Sequence, residues 1–272
     1  MKMRLQLKGR LKALLLLCLF AVACQGGARS LYERAESEAA NQRGQLARHF
    51  YLQAIEKNSF KDQLRFNSLK GLADLCFDQL FDYREGMKAA EMAIAEFGES
   101  VFFQQSVDEL RLKAAFVSRV HLQDPERSLE FVKPIIVGGR MPQESWQEVG
   151  RIHLELRDYT QAEAAFQQFW SGALSGGHCR ELREAQLDLM QTFSLARNCT
   201  KALEWGAAQF PADCKPDVFS VRVEMAHCYE IRGESEKAAT LIQEILNENP
   251  ENYRAEYLLK NIRKRQREKA SR

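Results

Sequence analysis

Two stretches far apart in this chain repeat one arrangement of small and aromatic residues, and the repetition restricts the fold more than any other feature. The first runs Trp146, Val149-Gly150, His153, a turn at Asp158-Tyr159, then Ala162 and Phe166. The second runs Met225-Ala226, Tyr229, a turn at Arg232-Gly233-Glu234, then Ala238, Ile242, Ile245 and a terminal Asn249-Pro250. Gly150 or Ala226 on a first helix is expected to face Ala162 or Ala238 on a second, because only small side chains let two antiparallel helices approach so closely. From Leu31 onward apolar residues recur at three and four, proline is scarce and strand-type alternation is missing. The chain therefore reads as an array of helices rather than a sheet.

The first stretch resembles the tetratricopeptide pattern of Trp, Leu-Gly and Tyr on one helix, a turn, and Ala with an aromatic on the next. The resemblance implies weaker copies, placed by the small residue of the second helix at Ala47, Gly86, Ser128, Ala162, Ala202 and Ala238. These lie 39, 42, 34, 40 and 36 residues apart, against a basic unit of about 34, so several copies carry longer helices or loops. In the second, Phe77 takes the aromatic place and Asp82-Tyr83 the turn, followed by Ala89, Ala90 and Ala93. The third starts its second helix at Asp124-Pro125-Glu126, where proline suits the first turn. The first rests on Ala47, Tyr51 and Ala54. The implied fold is all-α, a right-handed tetratricopeptide solenoid of about six helix-turn-helix units over 31–250. A capping helix from Glu251 to Ile262 closes it with one polar face, and a basic tail ends at Arg272.

The chain opens with a cationic stretch, Lys2, Arg4, Lys8, Arg10 and Lys12, followed by the apolar run 13–23. Residues 1–23 read as a signal peptide, since the run is about 11 residues long where a bilayer core needs roughly 20 in a helix. Ala21-Val22-Ala23-Cys24 resembles the bacterial lipobox. That implies an acylated Cys24 as the new N-terminus and a lipidated linker over 24–30; the other reading is an ordinary signal-peptidase site with a plain thiol. Two acyl signals give stable anchoring. Gln25 stands where an Asp retains such proteins in the inner membrane, so the resemblance implies the outer membrane, facing the periplasm.

Without residues 1–23 the formal charge falls from +2 to −3, which argues against nucleic acid, whose phosphates need a concentrated basic face. The stretch from Tyr257 to Arg272 holds seven basic residues against Glu268. It reads as a soluble helix end, with contact to anionic lipid or an acidic partner as the alternative.

Five cysteines follow Cys24: Cys76, Cys179, Cys199, Cys214 and Cys228. An oxidising compartment permits disulfides, and four cysteines allow three pairings by sequence alone. In the implied repeat geometry Cys179 begins the first helix of unit five and Cys214 follows its second, both at one edge. Cys199 sits in the opposite turn and Cys228 lies late in the first helix of unit six. A helix of about 17 residues is roughly 25 Å long, whereas bridged Cα atoms lie within about 7 Å. The expected pairs are therefore Cys179 with Cys214 and Cys199 with Cys228, leaving Cys76 a buried thiol. His178 beside Cys179 and His227 beside Cys228 raise a metal reading. No C-x-x-C pair is present and the two edges are far apart, so no metal and no cofactor are expected.

There is no nucleophile elbow, phosphate loop, H-E-x-x-H or dinucleotide glycine pattern, and the expectation is a protein that is not an enzyme. His153 occupies the repeat's aromatic position and reads as core. Tetratricopeptide arrays bind proteins in a groove lined by their first helices. Carried over from Trp146 and its equivalents, the groove positions are Lys113, Val117 and His121 in unit three, and Gln147, Arg151 and Glu155 in unit four. Unit five supplies Leu187, Gln191 and Ser194, and unit six Val223, His227 and Glu230. The Lys and Arg clamp for a terminal carboxylate is missing from this set.

The linkers Ala95-Glu-Phe-Gly-Glu-Ser100 and Ala208-Gln-Phe-Pro-Ala-Asp213 look like the Phe-Pro-x-Ser junctions of tetratricopeptide lipoproteins of the bacterial cell envelope, the BamD-like and Tol-Pal-coordinator-like group. The resemblance implies an outer-membrane-anchored periplasmic scaffold that binds extended or helical segments of protein partners in assembly of an envelope complex. No small-molecule substrate is implied. The alternative is a pilotin or motility-apparatus lipoprotein acting on a secretin, pilus or gliding machine.

Overall fold

The computed structural model describes residues 27–270. The expected signal peptide and Cys24 lie outside the described residues. Among those residues there are thirteen α-helices and no strand. They are α1 (27–40), α2 (Gly44–Lys57), α3 (Gln63–Leu75), α4 (Tyr83–Phe97), α5 (Gln104–Val120), α6 (Pro125–Val137) and α7 (Trp146–Glu155). After these come α8 (Tyr159–Gly176), α9 (Cys179–Leu195), α10 (Cys199–Gly206), α11 (Val218–Ile231), α12 (Ser235–Glu248) and α13 (Tyr253–Ala270). They fall into two compact units, one ending at Val132 and one beginning at Lys133. The first holds the pairs α1/α2 and α3/α4, then α5 and the start of its partner α6, inside which the boundary falls. The second holds α7/α8, α9/α10 and α11/α12, followed by α13. The six expected pairs and the closing helix are present.

Every pair turns by the same device. Between its two helices stands one residue with positive φ: Gln42, Phe81, Gln123, Arg157, Arg197 or Gly233, with φ between 54° and 80°. In four pairs the next amide donates to the carbonyl five residues back, Arg43 to Glu38, Asp158 to His153, Asn198 to Phe193 and Glu234 to Tyr229, at 2.8–2.9 Å. This satisfies a carbonyl that the end of a helix leaves open. Asp82, Asp124, Asp158 and Asn198 then cap the second helix by accepting the amide three residues on, at 2.9–3.3 Å. The small residue follows the left-handed one by five positions in all six pairs. Ala47, Gly86, Ser128, Ala162, Ala202 and Ala238 therefore each occupy the fourth place of a second helix, and all are buried.

At Gly150 the nearest side chain across the pair is that of Phe166. The Phe166 ring, one turn beyond Ala162 along α8, lies on it, as the Phe77 ring lies on Gly86. The glycine thus admits an aromatic ring between the helices. Ser128, the polar member of the small-residue series, donates from its hydroxyl to the Ala115 carbonyl at 2.7 Å, which offsets the cost of burying it.

In the first unit the rings of Phe66, Phe97 and Phe103 meet at 4.8–5.3 Å between centroids, joining the start of α3, the end of α4 and the turn before α5. Beside them Arg65 makes a two-pronged contact with Glu96 at 2.6 and 2.7 Å and donates to the carbonyls of Ile55 and Asn58. One side chain so ties the start of α3 to the ends of both its neighbours, α2 and α4.

In the second unit the expected pair Cys179 and Cys214 is bonded, with Cα atoms 5.2 Å apart, and packs with Trp170 and Phe210. The second expected bridge is absent. Cys199 and Cys228 are free, buried thiols of one cluster, and Cys228 hydrogen-bonds with both the Ser194 hydroxyl, at 2.9 Å, and the Cys199 side chain. In the first unit, Cys76 is likewise a buried free thiol; burial pushes it up to about 12.

Candidate partner-binding groove

In the first unit the expected groove residues lie on α5 and at its end. Lys113 bridges Asp74 on α3 and Asp78 in the helical turn after it, 2.6 Å from each. Burial alone lowers a lysine, but these two carboxylates outweigh it and raise the Lys113 ammonium above its ordinary range. Val117 faces inward and joins the apolar core, so it does not line a groove. His121 stands exposed at the end of α5 and stacks flat on Tyr83, 4.0 Å away at 9°. Of the three, only Lys113 sits on the first-helix face, already paired with acids.

In the second unit Gln147 and Arg151, one turn apart on α7, converge on Asp188 of α9, at 2.7 and 3.7 Å. Burial pushes the Asp188 carboxyl up, and the Gln147 amide and Arg151 guanidinium draw it back. Glu155 and Gln191 are exposed, and Leu187 is half-buried. Ser194 is buried against Cys228, which removes it from the groove. A hydroxyl at that place finds its partner inside.

The three unit-six residues come together. Val223, His227 and Glu230 on α11 form one wall of a cleft of about 430 Å³, closed below by Ile242 of α12 and opposite by α13. The floor is apolar, from Val223, Ala226, Leu258 and Ile262, and the rim carries both signs, Glu224, Glu230, Arg254 and Arg265. Glu230 pairs with Arg265. Burial raises the Glu224 carboxyl, while His227 and Arg254 pull it down. An apolar floor bounded by alternating charges suits an amphipathic peptide segment, whose apolar side chains fill the floor while its polar groups meet the rim.

Sequence reasoning missed Asp188, Arg254 and Arg265. Asp188 is adjacent to the carried-over Leu187, so a groove wide enough to include the neighbouring face of α9 finds it. The two arginines lie on α13, which continues past the expected stop at Ile262 to Ala270. The repeat of apolar residues at Ala255, Leu259 and Ile262 with Arg265 one turn on carries that signal.

Among the described residues no group of His, Cys, Asp or Glu is arranged to hold a metal ion, and no helix is long and apolar enough to cross a membrane.

No family model matches the sequence, and no curated protein matches it. Among solved structures, the chain is similar to PilW, described as a widely conserved type IV pilus biogenesis factor. The TM-score is 0.51 at 13% identity, over 86% of this chain and 97% of that one. It is also similar to a chain from the Naa15/Naa10 complex bound to HypK-THB, with TM-score 0.56 at 16% identity, over 87% of this chain and 34% of that one. A tetratricopeptide repeat protein from Parabacteroides merdae aligns over 87% of this chain and 99% of its own, with TM-score 0.47 at 13% identity. At these identities the likeness is one of fold.

Proposed function

We propose that this chain, a tetratricopeptide-repeat protein by its fold, is a scaffold that holds protein partners on the faces of its first helices from the periplasmic side of the outer membrane. Acyl chains on Cys24 tether it there, and the partners belong to an envelope complex under assembly. The cleft between α11, α12 and α13 carries this reading, because its apolar floor and two-sign rim fit a peptide segment. The Naa15/Naa10 assembly, similar in fold over most of this chain, is bound to a protein partner, HypK.

Affinity purification of the acylated chain from detergent-solubilised envelopes tests it. Partners recovered with the unaltered protein are expected to be lost with His227→Glu combined with Arg254→Glu, which turns the rim acidic. Equal recovery removes the cleft from the account. Mass analysis of the N-terminal peptide, with Cys24→Ser as control, tests the anchor separately.

A second reading has its own support. PilW shares the fold over nearly its whole length and is a pilus biogenesis factor. The alternative role is accordingly a pilotin or motility-apparatus lipoprotein, and a secretin or pilus subunit among the recovered partners selects it.

A further inference from the structure

In the first unit, the helices alternate in direction, so the starts of α1, α3 and α5 and the ends of α2 and α4 share one edge. Contacts establish this without appeal to the fold. Tyr51 of α2 reaches Tyr32 and Glu36 of α1, which sets the start of α1 beside the end of α2. Arg65, near the start of α3, holds the carbonyls of Ile55 and Asn58 and the Glu96 carboxylate near the end of α4. Phe103, just before α5, packs on Phe66 and Phe97 at that same edge.

This edge carries apolar side chains that a solvated surface does not explain. Val101 is 90% exposed and Phe102 81%, side by side at the tip of the α4–α5 loop, and Phe60 in the α2–α3 loop is 52% exposed. Charged side chains of both signs surround them: Arg29 on α1 and Lys57 and Lys61 around Phe60 are exposed, as are Glu33, Glu56 and Glu99. Exposed apolar tips on a charged rim fit a protein edge lying in a bilayer interface, where Val101, Phe102 and Phe60 enter the acyl boundary and Arg29, Lys57 and Lys61 meet the headgroup phosphates. The described chain starts at residue 27 on this same edge, and the 26 residues before it contain Cys24.

We infer that this edge of the first unit seats on the lipid surface to which Cys24 tethers the chain, with Val101 and Phe102 inserted as an apolar tip. The inference rests on the proposed anchor, yet the two fail separately. A tether three residues before α1 leaves little slack, so it delivers this edge to the membrane at high effective concentration. The tip then adds a second hydrophobic contact that fixes the orientation of the unit.

The test uses the full acylated chain in vesicles of phosphatidylethanolamine and phosphatidylglycerol with brominated acyl chains, which quench tryptophan on contact. Phe102→Trp is compared with Phe81→Trp. Phe81 is 65% exposed in the α3–α4 turn at the opposite edge. The signal of Trp146, Trp170 and Trp205 is subtracted with the unsubstituted protein, and circular dichroism checks the fold of each variant. The expected result is a blue-shifted, strongly quenched emission for Phe102→Trp and an unquenched one for Phe81→Trp. Equal quenching at both positions in an acylated protein overturns the seated edge and leaves the anchor standing. A blue shift that depends on protein concentration without lipid assigns the tip to a second protein molecule and also overturns it. Where mass analysis finds Cys24 unmodified, the anchor fails, and the same vesicles added to the free chain decide the edge: selective quenching of Phe102→Trp supports it, and none overturns it.

Discussion

Gly150 of α7 lies against the ring of Phe166 of α8, with no room between them for a methyl group. Gly150→Val therefore forces the ring or the helix to move. Overpacking of this kind costs about 1–3 kcal/mol, and the thermal midpoint is expected to fall by several degrees without a change in helical content just below the transition. An unchanged midpoint contradicts the close approach.

Arg197 sits in the left-handed region at φ 59°, which costs an L residue roughly 1–2 kcal/mol. Glycine avoids that cost but gives up about 1 kcal/mol of chain entropy. Arg197→Gly is expected to leave stability unchanged or raise it by up to about 1 kcal/mol, read as the denaturant midpoint. Arg197→Val, which tolerates this region worst, is expected to lower it.

Burial holds the His153 imidazole below the ordinary histidine range, with Asp158 pulling the other way. The unfolded chain therefore binds this proton more readily than the folded one. Stability is full above about pH 6.5, the ordinary histidine value, and declines as pH falls from there toward the lower folded value. His153→Tyr supplies the repeat's usual aromatic and is expected to shrink the loss of urea midpoint between pH 7.5 and pH 5.5. An equal loss in the variant assigns the titration to another group.

Reducing Cys179–Cys214 releases a loop with a sequence separation of 35, worth on the order of 3–4 kcal/mol in the chain-entropy account. A non-reduced digest is expected to yield the peptide joining these two residues. Alkylation of the denatured, unreduced protein is expected to label Cys76, Cys199 and Cys228. A peptide joining Cys179 to Cys199 contradicts the register of the fifth pair.

Arg65 serves four acceptors at once, two on Glu96 and two backbone carbonyls. Arg65→Lys keeps the charge but loses the planar fork, so it is expected to destabilise by about 1.5–3 kcal/mol, the value of hydrogen bonds to charged groups. Calorimetry of the variant beside Arg65→Met separates the fork from the charge.

The spacing of Ala162 and Ala238 made the fold readable because close helix contact limits which residue types survive there. The turns were less readable. Gln42, Phe81, Gln123, Arg157 and Arg197 adopt the backbone that Gly233 advertises, and nothing in those side chains announces it. The Asp or Asn that follows four of them is the trace they leave. In the groove, resemblance transferred positions but not the rotation of each helix about its axis. Val117 and Ser194 consequently turned inward, while Asp188, one place from Leu187, was passed over. The second expected bridge is a finer point still: Cys199 and Cys228 are direct neighbours in one cluster and share a side-chain hydrogen bond, yet both are free thiols, and nothing in the spacing separates a bonded pair from a merely adjacent one.

Because the left-handed residue and the buried small residue stay five apart in every pair, all the variation in repeat length falls outside that interval. It is absorbed by the lengths of the helices and by the connections leading into the next pair, such as 98–103 and 207–217. A tag, an epitope or a grafted recognition loop is therefore tolerated between the bridged Cys214 and Asp217, the cap of α11, where no helix has to shift phase. One extra residue inside any of the six hairpins rotates a whole helix by about 100° and carries its small residue away from its mate.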